Sequence, residues 1–245
     1  MKPAIRTPFF EIGVKNYIFG DDVFYLAQEA DRAAKRYDVD VLFTAPYADI
    51  RRVAENTERL IVIAPYMDTE PPGRGMANVL PESLKAAGAR GVVINHCEKP
   101  MTLAKIRETI ERAKGLDMLS FVCADTVEEA KAVALFHPDI INPEPSGLIG
   151  SGRSSDLEFA ACSVREIKAV FPDILVEQAA GITSGMQVFE YIMSGADGAG
   201  AASGIVGAVD PFAALDEMIA SVRRAKDMLT QGRDWNENLP RIDHT

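Results

Sequence analysis

The chain alternates short apolar runs with longer amphipathic stretches, and Gly- or Pro-containing loops separate the two. Most of the apolar runs are compact and do not alternate with polar residues. Such runs are typical of strands in a parallel sheet that is covered on both faces. The predicted strands are 9–14, 41–44, 61–64, 91–94, 120–123, 140–142, 174–177 and 198–201.

Amphipathic stretches between these strands predict helices, because apolar residues recur there at helical spacing. Residues that favour helix starts precede or open most of them. The predicted caps are Asp21 or Asp22 for helix 23–36, Asp125 for 126–136, Ser155 for 156–171, and Thr183 or Ser184 for 186–193. Three further helices are predicted to open with a proline: 81–87 with Pro81, 101–114 with Pro100 and 211–229 with Pro211.

Eight strands that alternate with helices indicate a parallel α/β fold. Eight such pairs in a chain of this length favour a closed, single-domain (β/α)8 barrel, with a doubly wound open sheet as the alternative. No interior linker or low-complexity segment marks a second domain. We therefore predict a barrel over residues 1–230 and a polar C-terminal tail over residues 231–245.

Composition narrows the class of protein. The 245 residues are 47% hydrophobic and 25% charged, and no apolar run approaches the roughly 18 residues of a membrane span. The net charge of -10 argues against binding to nucleic acid or to an anionic membrane. Three cysteines without metal spacing and an N-terminus unlike a secretory signal predict a cytoplasmic protein.

Polar residues follow several predicted strands at the point where each strand ends. Lys15 follows the first strand, His96 and Glu98 the fourth, and Glu144 the sixth. In a barrel these positions share one pocket. Removal of a C–H proton beside a carbonyl needs a base such as a carboxylate. The negative charge of the resulting enediolate can be stabilised by donors such as an imidazole and an ammonium group. The predicted catalytic residues are therefore Lys15, His96 and Glu144.

Three later loops, 148–152, 181–185 and 202–204, are rich in Gly and Ser. Backbone N–H groups in such loops bind phosphate, so the pocket favours a small phosphorylated substrate. His96 precedes the helix opened by Pro100, and we expect the dipole of that helix to keep the imidazole neutral. Taken alone, Glu98 has a simpler explanation as an acidic residue in the first turn of the same helix.

The rim residues and the Gly- and Ser-rich loops follow one another along the chain in an order that resembles the triosephosphate isomerase family, in particular its shorter archaeal-type branch. The resemblance covers residues 8–225. The resemblance implies a TIM barrel and an aldose–ketose isomerase that interconverts dihydroxyacetone phosphate and glyceraldehyde 3-phosphate in glycolysis and gluconeogenesis. It also implies the roles: Lys15 as the substrate-binding lysine, His96 as the electrophile and Glu144 as the base. The matching segments are 12–17 (IGVKNY), 79–89, 94–99 (INHCEK), 144–152 (EPSGLIGSG), 181–185 (GITSG) and 201–205 (AASGI).

The family match also supplies the expected substrate- and phosphate-binding residues. They are Gly150 and Ser151 in the lid after the base, and Ser184, Gly185, Ser203 and Gly204 in the two later loops. The resemblance further implies a homo-oligomer, dimer or tetramer, and chemistry that needs neither a metal nor an organic cofactor.

Departures from the family pattern leave alternatives open. Gly13 stands where the family has Asn, residues 73–78 lack the Thr-Gly pair that reaches a neighbouring subunit, and Cys97 and Lys99 replace Ser and Arg. The Gly13 replacement makes an isomerase for a four-carbon tetrulose phosphate the second hypothesis. A non-catalytic phosphosugar-binding barrel is the third. A lyase or prenyl transferase barrel would need other residues on the rim.

Overall fold

A computed structural model describes residues 1–232, which form a closed barrel of eight parallel strands. The first strand pairs with the second on one side and with the eighth on the other, which closes the sheet. The strands are β1 (Phe9–Gly13), β2 (Val41–Thr44), β3 (Leu60–Ala64), β4 (Gly91–Ile94), β5 (Leu119–Ala124), β6 (Ile140–Pro143), β7 (Leu175–Gln178) and β8 (Gly198–Ala201).

Helices connect the strands and pack around the sheet. A single 3-10 turn over Ser146–Leu148 follows β6. The α-helices of the described residues are α1 (Asp21–Tyr37), α2 (Ile50–Glu55), α3 (Pro81–Ala86), α4 (Leu103–Gly115), α5 (Val127–Ala134), α6 (Leu157–Val170), α7 (Gly185–Met193), α8 (Ser203–Val206) and α9 (Pro211–Thr230).

The predicted single-domain (β/α)8 barrel is confirmed, and the open doubly wound sheet is wrong because β1 and β8 are hydrogen bonded to each other. All eight predicted strands are present, with bounds that differ by no more than a residue at either end. This accuracy has a physical basis: a strand covered on both faces must be apolar throughout, so its apolar run marks its length.

Helix starts differ more from the predictions. The capping side chain of α5 is Thr126, not Asp125, and that of α6 is Asp156, not Ser155, because these residues have the extended backbone that aims an oxygen at the N–H three residues later. Helix α1 follows Gly20, so neither Asp21 nor Asp22 caps it. Helix α4 begins at Leu103 rather than directly after the proline at position 100.

Inside the barrel, side chains change from apolar to polar along each strand. At the amino ends, Phe9, Leu42 and Ile140 belong to a fully buried apolar cluster. Alternate residues of a strand share a face, so the next inward position along these strands is Glu11, Thr44 and Asn142 respectively. The apolar cluster therefore fills the lower half of the barrel, and polar groups face the carboxyl ends of the strands.

Helix α9 ends at Thr230, and the predicted tail lies outside the described residues from position 233 onwards. Within residues 1–232, no helix is both long enough and apolar enough to cross a membrane.

Candidate active site

A cavity of about 560 Å³ opens at the carboxyl ends of the strands, in the size range of small-molecule sites. The segments that follow most of the strands contribute to its wall. All three predicted catalytic side chains, Lys15, His96 and Glu144, line it, although they come from the ends of three different strands. The barrel thus brings together residues that are up to 129 positions apart in sequence, from Lys15 to Glu144.

Lys15 lies two residues beyond the end of β1, with a backbone φ of 47°. A positive φ is uncommon for a residue with a side chain and is found preferentially where function requires a particular direction. The side chain is only 20% exposed, and its Nζ lies 3.4 Å from Glu98 Oε1. An ammonium group is therefore held beside the cavity by a carboxylate.

His96 presents one ring nitrogen to its own loop and the other to the cavity. The backbone N–H of Glu98 donates to Nδ1 at 3.2 Å, so a neutral ring carries its proton on Nε2. Nε2 lies 3.9 Å from Glu144 Oε2. Burial lowers the pKa of His96, Lys15 lowers it further, and Glu98 opposes both. His96 is therefore a neutral donor that points into the cavity.

Neutrality of His96 has a different origin from the predicted helix dipole. Helix α4 begins seven positions after His96, and the pKa of His96 is lowered mainly by burial and then by the charge of Lys15. Glu98 also lies before the first turn of α4, so the explanation of Glu98 as a first-turn acid is wrong. It contacts Lys15 and His96 instead.

Glu144 directly follows β6, and its backbone N–H donates to Ala124 O at 2.8 Å, which extends the pairing with β5. Its side chain is only 10% exposed. Burial raises the pKa of Glu144 to about 7; Lys15 lowers it and Glu98 adds to the rise. A carboxyl group with this pKa is a stronger base than an exposed glutamate and is still ionised in a large fraction at neutral pH.

Only part of the loop after β6 lines the cavity. Gly150, with φ of 68°, lines the cavity together with Ile149. Ser151 does not line it: its hydroxyl donates to Leu148 O at 2.7 Å and accepts from the Arg153 N–H at 3.1 Å. In this arrangement of the loop, Ser151 therefore lies outside the cavity wall.

In the loop after β7, the predicted pair Ser184 and Gly185 does not line the cavity. The Ser184 hydroxyl caps α7, and the Gly185 N–H donates to Glu217 Oε1 at 3.1 Å. Gly181 and Ile182, earlier in the same loop, line the cavity in their place.

The loop after β8 brings Ser203 to the cavity wall. The next residue, Gly204, packs against the backbone of the neighbouring loop, since a Cβ built on Gly204 would lie 2.0 Å from Ile182 O. Both residues open helix α8, and the first N–H groups of a helix have no acceptor within it. These N–H groups suit an anion, and Gly204 allows the two loops to approach closely.

Three polar residues that lie within strands and line the cavity were not predicted as site residues. They are Glu11, Thr44 and Asn142, which project from within β1, β2 and β6, below the rim formed by the strand ends. Asn142 Nδ2 donates to Glu144 Oε2 at 3.4 Å, and Asn142 Oδ1 is buried with no partner among the described residues. A polar residue inside an apolar strand was the available signal for all three.

The volume beside Gly13, where a side chain is missing, is partly occupied. A Cβ on Gly13 would lie 3.3 Å from Glu11 Oε1 and 3.5 Å from Glu11 Oε2. The carboxyl group of Glu11 therefore occupies part of the volume beside residue 13. In residues 1–232, no group of three or more His, Cys, Asp or Glu side chains has the arrangement of a metal site.

The family model described as triosephosphate isomerase matches residues 13–215 of this chain. The chain belongs to the triosephosphate isomerase family. The match covers every catalytic candidate and all three Gly- and Ser-rich loops, and the predicted family resemblance is confirmed.

Archaeal members of the triosephosphate isomerase family are similar over most of the chain. A triosephosphate isomerase of Methanothermus fervidus is 34% identical over 220 residues, covering 88% of this chain and 99% of the relative. One from Sulfolobus acidocaldarius is 33% identical over 228 residues, covering 91% and 98%. The crystal structure of triosephosphate isomerase from Bartonella henselae has a TM-score of 0.71 at 18% identity, over 90% of this chain and 100% of that one, and supports the fold.

Proposed function

We propose that this protein interconverts dihydroxyacetone phosphate and glyceraldehyde 3-phosphate through an enediolate. The observation that carries the proposal is the pair of Glu144 and His96. Glu144 is a buried carboxyl with a pKa of about 7, and its Oε2 lies 3.9 Å from the His96 nitrogen that bears the proton. A base and a neutral donor at this separation can act on a carbon and an oxygen of the same small substrate.

The reaction proceeds by two proton transfers at carbon. Glu144 removes a proton from C1 of dihydroxyacetone phosphate, and the electron pair of the broken C–H bond forms the C1–C2 double bond of an enediolate. His96 donates its Nε2–H to the developing oxyanion, and the Lys15 ammonium stabilises the same negative charge. Return of the proton to C2, with proton exchange between the two oxygens, gives the aldehyde.

The phosphate is assigned to the Gly- and Ser-rich side of the cavity. Support comes from Gly150 and Ser203, which line the cavity, and from the N–H groups of Ser203 and Gly204 at the start of α8. The roles of Ser151, Ser184 and Gly185 rest on the family resemblance. Movement of the loop after β6 on substrate binding would be needed to bring Ser151 to the substrate, because its hydroxyl now bonds within that loop.

The two alternatives to triose isomerisation have less support. The similar relatives are named triosephosphate isomerase, which favours neither a tetrulose phosphate isomerase nor a non-catalytic binding barrel. A binding protein also has no use for a buried carboxylate base next to a neutral imidazole donor.

The same proposal includes a homo-oligomer in the cytoplasm. Large apolar side chains are exposed in the loops after β1, β2 and β3, where they would be covered by a second copy. They are Tyr17, Phe19, Tyr47 and Met76. The free thiols of Cys97, Cys123 and Cys162 suit a reducing compartment. Sedimentation equilibrium tests the first part: a mass near 26.6 kDa, that of a single chain, would contradict it.

The test of the activity is initial-rate isomerisation of dihydroxyacetone phosphate by the wild type and by Glu144→Gln. The amide cannot accept a proton, so we expect kcat to fall by at least about 100-fold. D- and L-erythrulose phosphates serve as comparison substrates. Absence of triose turnover by the wild type, or a Glu144→Gln variant as active as the wild type, would refute the proposal.

A further inference from the structure

The floor of the cavity contains a carboxyl group that the mechanism above does not use. Glu11 is an inward-facing residue of β1, only 8% exposed, and it lines the cavity. It lies beside two glycines: a Cβ on Gly13 would be 3.3 Å from Oε1, and a Cβ on Gly200 would be 3.0 Å from Oε2. Larger residues at these two positions would separate the carboxyl from the cavity or displace it.

The two oxygens of Glu11 have different surroundings. Oε1 accepts a hydrogen bond of 2.6 Å from the Thr44 hydroxyl. Oε2 has no hydrogen-bond partner within residues 1–232, and it is not fully enclosed, unlike both carboxylate oxygens of Glu177. Glu11 therefore offers one free oxygen to the open side, which is the cavity.

Burial is the main reason that Glu11 keeps a proton. It raises the pKa of Glu11 to about 7, Glu144 adds to the rise, and the Thr44 bond and Lys15 oppose it, so the neutral acid is present near and below pH 7. Glu177 on β7 and Cys123 on β5 also face this group, and neither supplies a positive charge. Since Thr44 already donates to Oε1, the proton of the neutral acid belongs on Oε2, where it can be donated into the cavity.

We propose that Glu11 is a substrate-binding residue: through the gap at Gly13, its Oε2 donates a hydrogen bond to an oxygen of the sugar phosphate. This inference rests on the proposed function, because it takes the carbonyl and hydroxyl oxygens of a small sugar phosphate as the acceptors. The gap and the carboxyl form one unit, in which Gly13 provides the opening and Glu11 supplies the donor. Thr44 is a positioning residue that fixes which oxygen points inward.

The test compares Glu11→Gln with Glu11→Ala in dihydroxyacetone phosphate isomerisation. The amide of Gln keeps an N–H donor of similar reach, so we expect kcat/KM to fall by less than about fivefold, whereas Ala should lower it by tenfold or more. Thermal unfolding of both variants reports on folding. Equal losses in the two variants, or no loss in Glu11→Ala, would overturn the proposal.

A second arm asks whether a donor from residue 13 can replace the carboxyl. When Glu11 is kept, Gly13→Asn should raise kcat/KM little, because the Cβ of Asn would press on Glu11. Combined with Glu11→Ala, Gly13→Asn should recover at least threefold of the lost kcat/KM, because the amide then occupies the vacated volume next to the substrate. A double variant no more active than Glu11→Ala would count against a substrate donor at this place.

Binding of glycerol 3-phosphate, measured by calorimetry, separates this inference from the proposed function. Glycerol 3-phosphate carries a phosphate and two hydroxyl groups but cannot isomerise. If the wild type fails to turn over the triose phosphates, the proposed function fails. The Glu11 inference still predicts that glycerol 3-phosphate binds Glu11→Ala at least fivefold more weakly than Glu11→Gln. Equal affinities would refute it independently of any turnover.

Discussion

The ionisation of Glu144 is expected to set the pH dependence of catalysis. Only the carboxylate can accept a C–H proton, and burial raises the pKa of Glu144 to about 7. In the free enzyme, kcat/KM should therefore rise with pH through about 7 as Glu144 ionises. Above about 7, loss of the proton from the proposed donor Glu11 should lower kcat/KM again in the wild type but not in Glu11→Gln. About half of the molecules carry the Glu144 carboxylate at pH 7 and about a tenth at pH 6, so in Glu11→Gln kcat/KM at pH 6 should be about a tenth of its plateau.

The assay is kcat/KM for dihydroxyacetone phosphate between pH 5.5 and 9. A phosphate monoester also loses its second proton at a pH of about 6, but this contribution is the same for every enzyme variant. The comparison that isolates Glu144 is Glu98→Gln. Because the Glu98 carboxylate raises the pKa of Glu144, removing its charge should move the rising limb to lower pH, whatever the variant does to the plateau.

Glu111→Gln is the matched control, since Glu111 is an exposed carboxylate on α4. Its profile should overlie that of the wild type. A wild-type profile that is flat between pH 6 and 9, or a limb that stays in place in Glu98→Gln, would refute the assignment of the limb to Glu144 and the reasoning from its burial.

Two further variants test the packing that supports the site. A Cβ on Gly204 would lie 2.0 Å from Ile182 O, so Gly204→Ala should lower the free energy of unfolding by about 1–3 kcal/mol in urea titrations. Gly115→Ala is the control, because a Cβ there meets nothing within 4 Å and should not lower that free energy. Equal effects of the two variants would contradict the contact. Burial raises the pKa of Glu177 well above its ordinary value, so folding stability contributed by this group is present at acidic pH and lost as the pH rises towards the folded-state pKa. Glu177→Gln should therefore gain stability over the wild type as the pH increases from 5 to 8, by up to about 1.4 kcal/mol per pH unit, and a difference that does not grow with pH would contradict this account.

The strands could be predicted from the sequence because a parallel barrel strand must be apolar on both faces. The short helices α2 and α8 could not be predicted, since six and four residues are too few to show helical periodicity and no proline opens either of them, as Pro81 opens the six-residue α3. The start of α5 was misplaced by one position because Asp125 and Thr126 are both good capping residues. Backbone conformation, which the sequence does not reveal, selects Thr126.

The rim of the site was predictable for a similar reason. Barrel geometry brings the ends of all strands to one face, so Lys15, His96 and Glu144 could be placed together without knowing any distance. The polar residues below the rim could not be predicted in this way. Whether Glu11 faces the cavity depends on the size of residue 13 above it and on the hydrogen bond from the neighbouring strand.

The phosphate loops show a second limit of sequence reasoning. A Gly- and Ser-rich loop offers many N–H groups, but only the folded backbone determines which of them are already bonded. The Gly185 N–H donates to a carboxylate 32 positions away in sequence, which no local pattern indicates. The family resemblance identified the loops, and their hydrogen bonds separate the cavity-lining members Gly150 and Ser203 from Ser151, Ser184 and Gly185.

The central claim, that Glu144 transfers a proton between two carbons of a triose phosphate, is tested most directly by isomerisation in D2O. Exchange of the abstracted proton with solvent should place deuterium at C2 of the glyceraldehyde 3-phosphate formed from dihydroxyacetone phosphate. Glu144→Gln should lose both product formation and deuterium incorporation, while Glu111→Gln keeps both. Deuterium incorporation by Glu144→Gln at the wild-type rate, or triose phosphate that carries no deuterium at C2 even after many interconversions by the wild type, would contradict the account.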